Sequence, residues 1–221
     1  PESVQAVAGH YNIKIKLDKT NSESEIFTAI YNLHNIAMNL FQENLFSETG
    51  EEALKYLYKR GFTIDTLTQF RIGVSKNSWN QLVGHVKGRG FTKNQIEQSG
   101  LFIQSEKGIF DRFRNRIMFP IFHPSGKPIA FGGRIFNSDD PAKYLNSPET
   151  PVYHKSSNFY GIQATRDSIR KQESVILVEG YMDFLKLYQS SIQNVLSTSG
   201  TAFTNKHVIS LNRISKKVIL L

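Results

Sequence analysis

The stretch SVILVEGYMD, residues 174–183, predicts the architecture of the second half of the chain. Its apolar run at 175–178 is short and rich in β-branched residues, which is typical of a strand buried on both faces of a parallel sheet. Residues 181–189 follow with the apolar spacing of a helix. The later segments predict a strand, a helix and a strand at residues 194–197, 205–214 and 217–221. This β-α-β-α-β order predicts a parallel sheet with right-handed crossovers.

Two carboxylates stand at the predicted end of the central strand. Glu179 follows the strand directly, and Asp183 lies in the first turn of the next helix. Ligands of open α/β sheets gather at the carboxyl ends of the strands, and Mg²⁺ prefers oxygen ligands. The pair is therefore a candidate metal site. The alternative is structural, because a Glu at a strand end often forms a cap or ion pair, and the helix dipole alone favours an Asp in the first turn.

Composition limits the classes of protein that fit. A chain of 221 residues can form one large domain or two small ones. It has no cysteine, which excludes disulfides and thiolate zinc sites within this chain. No apolar run approaches the roughly 20 residues of a membrane span. The chain starts at Pro1 and stops inside an apolar, strand-like run, so we expect a fragment of a longer protein.

The positive charge lies mainly in the second half of the chain. The net charge is +8, from 27 Lys and Arg against 19 Asp and Glu. Residues 1–110 contain 12 of these cations and 11 anions, whereas residues 111–221 contain 15 and 8. We therefore expect a polyanion to bind to the second half. The alternative is a soluble protein that is basic without any such partner.

The first hundred residues predict a cluster of helices without recognisable chemistry. Residues 1–21 predict a linker or irregular start, with a short edge strand at Ile13, Ile15 and Leu17. Capping signals predict that helices begin near Ser22, Thr49, Ser78 and Thr92. His34 lies on the first of these helices. We interpret it as a surface or packing residue, because no second metal ligand is suitably placed.

Alternating arginines mark a β-rich segment at residues 110–155. Arg112, Arg114 and Arg116 predict one strand over 112–122 with three guanidinium groups on one face. The second arm of a hairpin, at 128–135, carries Arg134. Its adjacent glycines, Gly132 and Gly133, predict the close approach of another backbone or a ligand. Like charges on one strand repel unless they face an anion, so we interpret the set as phosphate-binding; a solvated basic face is the alternative.

Residues 141–155, PAKYLNSPETPVYHK, predict a long ordered loop. It carries two cations, an aromatic ring and an amide, at Lys143, Lys155, Tyr144 and Asn146. That set suits a nucleotide or a single nucleic-acid strand, although an ordinary surface loop is the alternative. A helix predicted at residues 163–171 then leads to the central strand.

Four motifs in this order resemble the RNA polymerase domain of bacterial DnaG-type DNA primases. They are DRFRNRIMFPI (111–121), IAFGGR (129–134), KYLNSPET (143–150) with His154 and Lys155, and VEGYMD (178–183). A fifth stretch, SGTAFT (199–204), matches more weakly, and the resemblance covers about residues 50–221.

The resemblance implies an α/β fold class with two parts. The first is a basic mixed α/β (α+β) N-terminal subdomain over residues 22–171, helical at 22–100 and β-rich at 110–155. The second, over residues 172–221, is the first βαβαβ part of a parallel-sheet TOPRIM fold, which is truncated in this chain.

The resemblance also implies a function, namely the synthesis of short RNA primers on single-stranded DNA by metal-dependent nucleotidyl transfer during replication. The implied cofactor is Mg²⁺ or Mn²⁺, with Glu179 and Asp183 as metal ligands and no zinc in this chain. The implied catalytic residues are Glu179, Asp183, Lys143 and Lys155. The implied nucleic-acid or nucleotide contacts are Arg112, Arg114, Arg116, Arg134, Lys143, Tyr144, Asn146 and Lys155.

The implied partners are the single-stranded DNA template, ribonucleoside triphosphates and the RNA–DNA hybrid. For the full-length protein they include the replicative helicase and the single-strand-binding protein, in the cytoplasm at the replication fork in the nucleoid. No membrane is implied.

One motif of the resembled family is missing. Its Asp-x-Asp motif would follow Leu221, so we expect an incomplete catalytic site and little or no activity of the chain alone. Two other functions remain open. A TOPRIM nuclease or topoisomerase would share Glu179 but would lack the stretch at 143–150. A non-catalytic module that binds single-stranded DNA would share the basic surface.

Overall fold

The structure is a computed structural model that describes residues 21–137, 140–200 and 202–221. The predicted irregular start and the edge strand around Ile13 lie outside these residues. The helices of the first part are α1 (Asn21–Leu45), α2 (Glu51–Lys59), α3 (Ile64–Gln69), α4 (Gln81–Val86) and α5 (Lys93–Gln98). Its strands are β1 (Gly73–Ser75), β2 (Phe102–Ser105), β3 (Gly108–Asp111), β4 (Arg116–Phe122), β5 (Pro128–Arg134) and β6 (Tyr144–Asn146).

The second part contains the central strand and its neighbours. Its elements are α6 (Ile162–Gln172), β7 (Ser174–Val178), α7 (Tyr181–Gln189), β8 (Val195–Ser197), α8 (Asn205–Asn212) and β9 (Lys217–Leu220). None of the helices in the described ranges is both long and apolar enough to cross a lipid bilayer.

The first part is built around an antiparallel sheet in the order β1-β4-β5-β6. Every residue of β4 and β5 is buried, so this predicted hairpin forms the centre of the sheet. Strand β1 was not predicted, because three residues are too few to display a period. Strand β6 lies inside the segment predicted as a loop, where Tyr144–Asn146 pairs with the end of β5.

The second part contains the predicted parallel sheet, in the order β8-β7-β9. Its side chains alternate as expected of a buried strand. Val175 and Leu177 pack into a cluster that includes Ile169 of α6 and Leu211 of α8. Val178 instead joins the cluster formed with α7 and the first sheet. Strand β7 therefore lies between two apolar layers, as its sequence predicts.

The predicted helix starts differ in how they are capped. The helix start predicted near Thr92 is confirmed, and it forms a capping box: the Thr92 hydroxyl accepts from the Gln95 N–H (3.3 Å) and the Gln95 side chain accepts from the Thr92 N–H (2.9 Å). The box predicted at Thr49 is wrong, because Thr49 lies in a short 3₁₀ turn and Gly50 is the N-cap of α2. A side chain on Gly50 would collide with the end of α1, which explains the glycine.

Tyr181 joins the two sheets in one hydrophobic core. It is the first residue of α7 and is 1% exposed. Its ring stacks on Phe119 of β4 with centroids 5.0 Å apart and meets Tyr160 edge-on at 5.0 Å. Its hydroxyl donates to Oδ1 of Asn146 in β6 (2.7 Å). Aromatic pairs with this geometry add to the stability gained from burial.

Gly132 leaves the space that the Tyr181 ring occupies. A Cβ atom at Gly132 would lie well inside van der Waals contact with this ring. The predicted close approach at Gly132 is therefore present, but the prediction of a backbone or a ligand is wrong, because the approaching group is the Tyr181 side chain.

His34 is fully buried beneath the first sheet, which confirms the packing interpretation. Its Nε2 lies 2.9 Å from the Ser99 carbonyl and its Nδ1 lies 3.3 Å from the Pro128 carbonyl. Burial lowers the pKa of His34 to about 4, although the two carbonyl oxygens act in the opposite direction. The imidazole is therefore neutral near pH 7.

Adding one methyl group at Gly132 is expected to destabilise the fold. Gly132→Ala should lower the free energy of unfolding by about 3 kcal/mol, because neither the β5 backbone nor the buried Tyr181 ring can move away freely. Gly84→Ala is the matched control. Gly84 lies within α4 with no atom near the added group, so this change should stabilise by up to about 1 kcal/mol. Urea unfolding measures both, and an unchanged stability of Gly132→Ala would contradict the packing described.

The buried His34 is expected to make stability fall in mild acid. Its pKa is about 4 in the folded chain and 6.5 in the unfolded reference, so between these values the unfolded chain binds the extra proton. Stability should therefore fall by about 2 kcal/mol between pH 7 and pH 5 through this group. His34→Gln should remove that part of the pH dependence, whereas the exposed-residue control His85→Gln should retain it. Urea unfolding at both pH values distinguishes them, and parallel profiles for all three proteins would refute the assignment.

Candidate metal and nucleic-acid site

Glu179 lies at the carboxyl end of β7, where the sequence predicted it. Its backbone carbonyl accepts from the Gly200 N–H (2.8 Å) and the Ser197 hydroxyl (2.9 Å), which fixes the turn after the strand. Its side chain is exposed and lines a cavity of about 430 Å³. The other lining residues are Leu177, Val178, Thr198, Gly200, Ala202, Phe203, Leu220 and Leu221. The carboxylate is therefore accessible to a ligand.

Asp183 lies one turn further, at the start of α7. Its carboxylate turns back over Gly180, where an added Cβ would lie 2.7 Å from Oδ2. It is exposed but does not line the cavity at Glu179. Over the described ranges neither carboxylate forms a hydrogen bond or an ion pair with the protein, and no three potential metal-binding side chains cluster together. The pair fits a cation that takes one or two carboxylates and completes its shell with water and phosphate oxygens.

The prediction that three arginines share one strand face is wrong. Strand β3 ends at Asp111, and β4 begins only at Arg116. Asn115 between them has φ 51°, a left-handed conformation that Asn tolerates better than most residues. The chain therefore turns between the strands, and Arg112, Arg114 and Arg116 have different environments.

Arg116 is engaged inside the protein. Its side chain is 4% exposed, and its Nη2 lies 2.6 Å from Asp140 Oδ2. Its Nη1 donates to the Ala142 carbonyl (2.8 Å). The Ala142 N–H and the Arg116 guanidinium both lower the pKa of Asp140. These contacts indicate a structural role for Arg116 in place of the predicted nucleic-acid contact.

Arg112 and Arg114 remain suited to an anion. The Arg112 Nε is buried and has no acceptor among the described residues, and burial lowers the pKa of its guanidinium. A buried, unpaired donor is costly, and a bound phosphate oxygen would relieve that cost. Arg114 donates to the Asp111 carbonyl and lies over the Trp79 ring, 3.8 Å from its centroid.

Trp79 was not singled out from the sequence as a functional residue. It is 59% exposed and is the single tryptophan of the chain. An exposed ring with a guanidinium on its face forms a platform on which a base can stack. The sequence shows only an aromatic residue within the helix-start signal at residues 78–81. Its contact with Arg114 depends on the fold.

Arg134 is held between two tyrosines. Its Nε donates to the Tyr56 hydroxyl (3.1 Å) and its Nη1 to the Tyr144 hydroxyl. Burial acts to lower the pKa of Arg134, but the two tyrosines raise it above its ordinary value. Arg134 as a whole is 7% exposed. Its guanidinium has a fixed orientation beside the exposed Tyr144 ring.

Asn146 connects the antiparallel sheet to the turn that carries Glu179. Its Nδ2 donates to the Ser199 carbonyl (2.9 Å), and the adjacent Gly200 N–H donates to the Glu179 carbonyl (2.8 Å). Tyr144 is the first residue of β6 and Lys143 precedes it, at the opposite end of the strand from Asn146. The structure therefore places Asn146, but not Lys143, against the loop that supports Glu179. Asn146 itself is occupied by Ser199 and Tyr181, so it positions neighbouring residues.

Lys155 lies in a loop that the protein holds from two sides. Its backbone N–H donates to Glu149 Oε1 (2.8 Å), and the other oxygen of Glu149 lies 3.0 Å from His154 Nδ1. The N-cap residue of α8, Thr204, donates its hydroxyl to the Ser156 carbonyl (2.6 Å). The ammonium group is left partly exposed on a fixed backbone, which suits a phosphate contact.

The described residues include an exposed carboxylate pair at a sheet edge and, on neighbouring elements, fixed cations and exposed aromatic rings. Carboxylates can hold a divalent cation, cations can bind phosphates, and exposed rings can stack on bases. This combination suits phosphoryl-transfer chemistry on a nucleic acid.

Two family models match the chain. The model of the DNA primase catalytic core, N-terminal domain, matches residues 40–166, and a Toprim-like model matches residues 176–221. The DNA primase of Clostridium acetobutylicum is 37% identical over 223 aligned positions, and the match covers 99% of this chain and 37% of that protein. The DNA primase of Listeria monocytogenes is 35% identical over 229 aligned positions, with the same two shares. The chain thus spans about a third of the length of these relatives.

Solved structures share the fold. The crystal structure of the RNA polymerase domain of Mycobacterium tuberculosis primase DnaG has a TM-score of 0.82 at 28% identity, covering 87% of this chain and 66% of that chain. A structure of the DnaG primase catalytic domain bound to ssDNA has a TM-score of 0.82 at 32% identity, covering 89% and 62%. The first family model alone spans more than half of the sequence, so the resemblance is confirmed and the chain belongs to the DNA primase catalytic-core family.

Proposed function

We propose that this chain is part of an enzyme that synthesises short RNA primers on single-stranded DNA by nucleotidyl transfer. The observation that carries the proposal is the contact chain from Asn146 through Ser199 and Gly200 to the Glu179 turn, which brings an accessible carboxylate next to the basic subdomain. Family membership favours this reaction over that of a nuclease or topoisomerase.

The residues around Glu179 fit a divalent metal ion. In our proposal Glu179 holds Mg²⁺ or Mn²⁺, with Asp183 as an ancillary ligand. The ion, when bound, neutralises the triphosphate and stabilises the attacking and leaving oxygens. The described part of the chain offers only these two carboxylates at that edge of the sheet, so we expect little or no primer synthesis from the chain alone.

The remaining residues position the substrates. Lys143 and Lys155 bind triphosphate oxygens, because an ammonium group is a compact positive charge that suits a phosphate. Arg112 and Arg114 bind the backbone of the template strand, and Arg134 orients Tyr144. Trp79 and Tyr144 stack on bases, which needs no particular sequence. Fixed cations and rings of this kind align the reacting groups in advance, which is how much of the barrier to phosphoryl transfer is lowered.

Binding of single-stranded DNA without catalysis is a second function for the isolated chain. It is favoured by the Arg114–Trp79 pair, which lies outside the cavity at Glu179 and requires no metal.

Removing the charge of Glu179 is expected to separate synthesis from binding. Glu179→Gln in the full-length protein should reduce primer synthesis at least about a hundredfold, as expected when a metal ligand or general base is lost. Its affinity for single-stranded DNA should remain nearly unchanged. The matched control is Glu173→Gln at the opposite end of β7, where the exposed ion pair with Lys216 contributes little. Labelled-nucleotide incorporation and fluorescence anisotropy provide the two readouts, and synthesis that persists in Glu179→Gln would disprove the catalytic assignment.

Arg112 and Arg114 are expected to contribute to the salt dependence of template binding. The double change to alanine should weaken binding of a single-stranded oligonucleotide and reduce the slope of log K against log salt by about 1.4, since each phosphate contact on a single strand contributes about 0.7. The control removes the exposed cations Lys87 and Arg89 and should leave the slope unchanged. In the unsubstituted chain the fluorescence of Trp79 should fall as the oligonucleotide binds. An unchanged slope would assign both arginines to structural roles.

A further inference from the structure

A second groove lies between helices α6 and α8, on the far side of the parallel sheet from α7. Its volume is about 400 Å³. It is lined by Pro124, Ser157, Asn158, Phe159, Ile162, Arg166, Arg170, Ser210, Arg213 and Ile214. None of these residues belongs to the site proposed for primer synthesis.

The groove is strongly basic. Arg166 and Arg170 are one turn apart on α6, and Arg213 follows the end of α8. No Asp or Glu lines the groove, and over the described ranges none of the three guanidinium groups forms a hydrogen bond or an ion pair. Like charges one turn apart on a helix destabilise it slightly. The arrangement therefore favours an anionic ligand, which would remove the repulsion.

The floor of the groove is apolar but does not offer a stacking surface. Phe159 and Ile162 line it while remaining almost completely buried, at 4% and 8% exposure. Ile214 packs against the same cluster. A nucleic-acid base stacks on an exposed ring face, which Phe159 does not provide. An aliphatic or aromatic side chain of a peptide needs only such a shallow apolar floor.

The polar residues of the groove are also poorly placed to recognise bases. The Asn158 Nδ2 and the Ser157 hydroxyl both donate to the His154 carbonyl, at 2.8 and 3.3 Å. Their donors are thus used within their own loop. The groove offers charge and apolar contact rather than base-edge recognition.

The basic end of the groove lies away from Glu179. Arg170 is close to the end of α6 and precedes the start of β7, whereas Glu179 follows the other end of that strand. Five strand residues span roughly 16 Å. A ligand at these arginines therefore leaves the carboxylate edge accessible.

We propose that this groove binds an acidic peptide segment of a partner protein, with one large apolar side chain on the floor and carboxylates on Arg166, Arg170 and Arg213. Charge complementarity and the apolar floor together favour this ligand over a nucleic-acid strand, which would use the arginines alone. The proposal does not depend on the proposed function.

The test uses a fluorescein-labelled ten-residue peptide that carries six acidic residues and one Phe. The unsubstituted protein should bind it, and changing Arg166, Arg170 and Arg213 together to alanine should weaken binding at least about tenfold. The control changes the exposed cations Lys87, Arg89 and Lys107 to alanine and should retain the affinity. Arg166 is half-buried and the other substituted residues are exposed, and circular dichroism verifies the folding of both variants. Hydrogen exchange should show protection by the peptide in α6 and at residues 210–214.

Three results would overturn the proposal. The first is that the unsubstituted protein does not bind the peptide, or that the groove variant and the control variant bind it with equal affinity. The second is equal affinity for a peptide in which Phe is replaced by Ser, which would remove the role of the floor. The third is loss of oligonucleotide binding in the groove variant with peptide binding retained, which would make the groove a nucleic-acid contact. Primer synthesis is measured in parallel and should be unchanged, so failure here is distinct from failure of the proposed function.

Discussion

The ring of Tyr181 seated against Gly132 fixes how the two sheets meet. Tyr181 begins helix α7 two residues after Glu179, so whatever holds this ring also holds the turn that carries the carboxylate. Stacking on Phe119, the edge contact with Tyr160 and the hydrogen bond to Asn146 act on one side chain. Polar contacts at the margin, from Lys186 and Gln189 to the Gly61 carbonyl at 2.8 and 2.9 Å, reinforce the same interface. The carboxylate edge and the antiparallel sheet are therefore parts of one core.

The different roles of the four arginines follow from the free-energy cost of burying a cation. A buried guanidinium is stable only with acceptors or a counter-charge. Arg116 obtains both from Asp140 and the Ala142 carbonyl, and Arg134 obtains two tyrosine hydroxyls. Arg112 has a buried donor without an acceptor in the described chain, and Arg114 lies on an exposed ring. The latter two thus retain binding capacity for an external anion, while the former two mainly determine local structure.

The sequence predicted the second half better than the first for a physical reason. Strand β7 is an unbroken apolar run and helix α7 has a clear apolar spacing, and both formed at the predicted residues to within one position. The alternation of arginines at residues 112–116 led to a wrong strand prediction, because the alternation reflects residue type alone. The left-handed backbone of Asn115 interrupts the strand there. Contacts that depend on tertiary structure, such as Asn146 with Ser199 or Trp79 with Arg114, have no local pattern. Gly132 was informative because a glycine weakens a strand and usually occurs there only where another group approaches closely.

Hydrogen exchange across a urea series tests most directly whether the two sheets share one core. Strands β5 and β7 belong to different sheets, but their side chains pack in the same hydrophobic cluster. Their backbone amides should therefore lose protection from exchange at one urea concentration, with one free energy of opening. Loss of protection in β7 and α7 at clearly lower urea, with β5 still protected, would show two independent units. That result would contradict the account, because the Tyr181 contact could then not fix Glu179 relative to the antiparallel sheet.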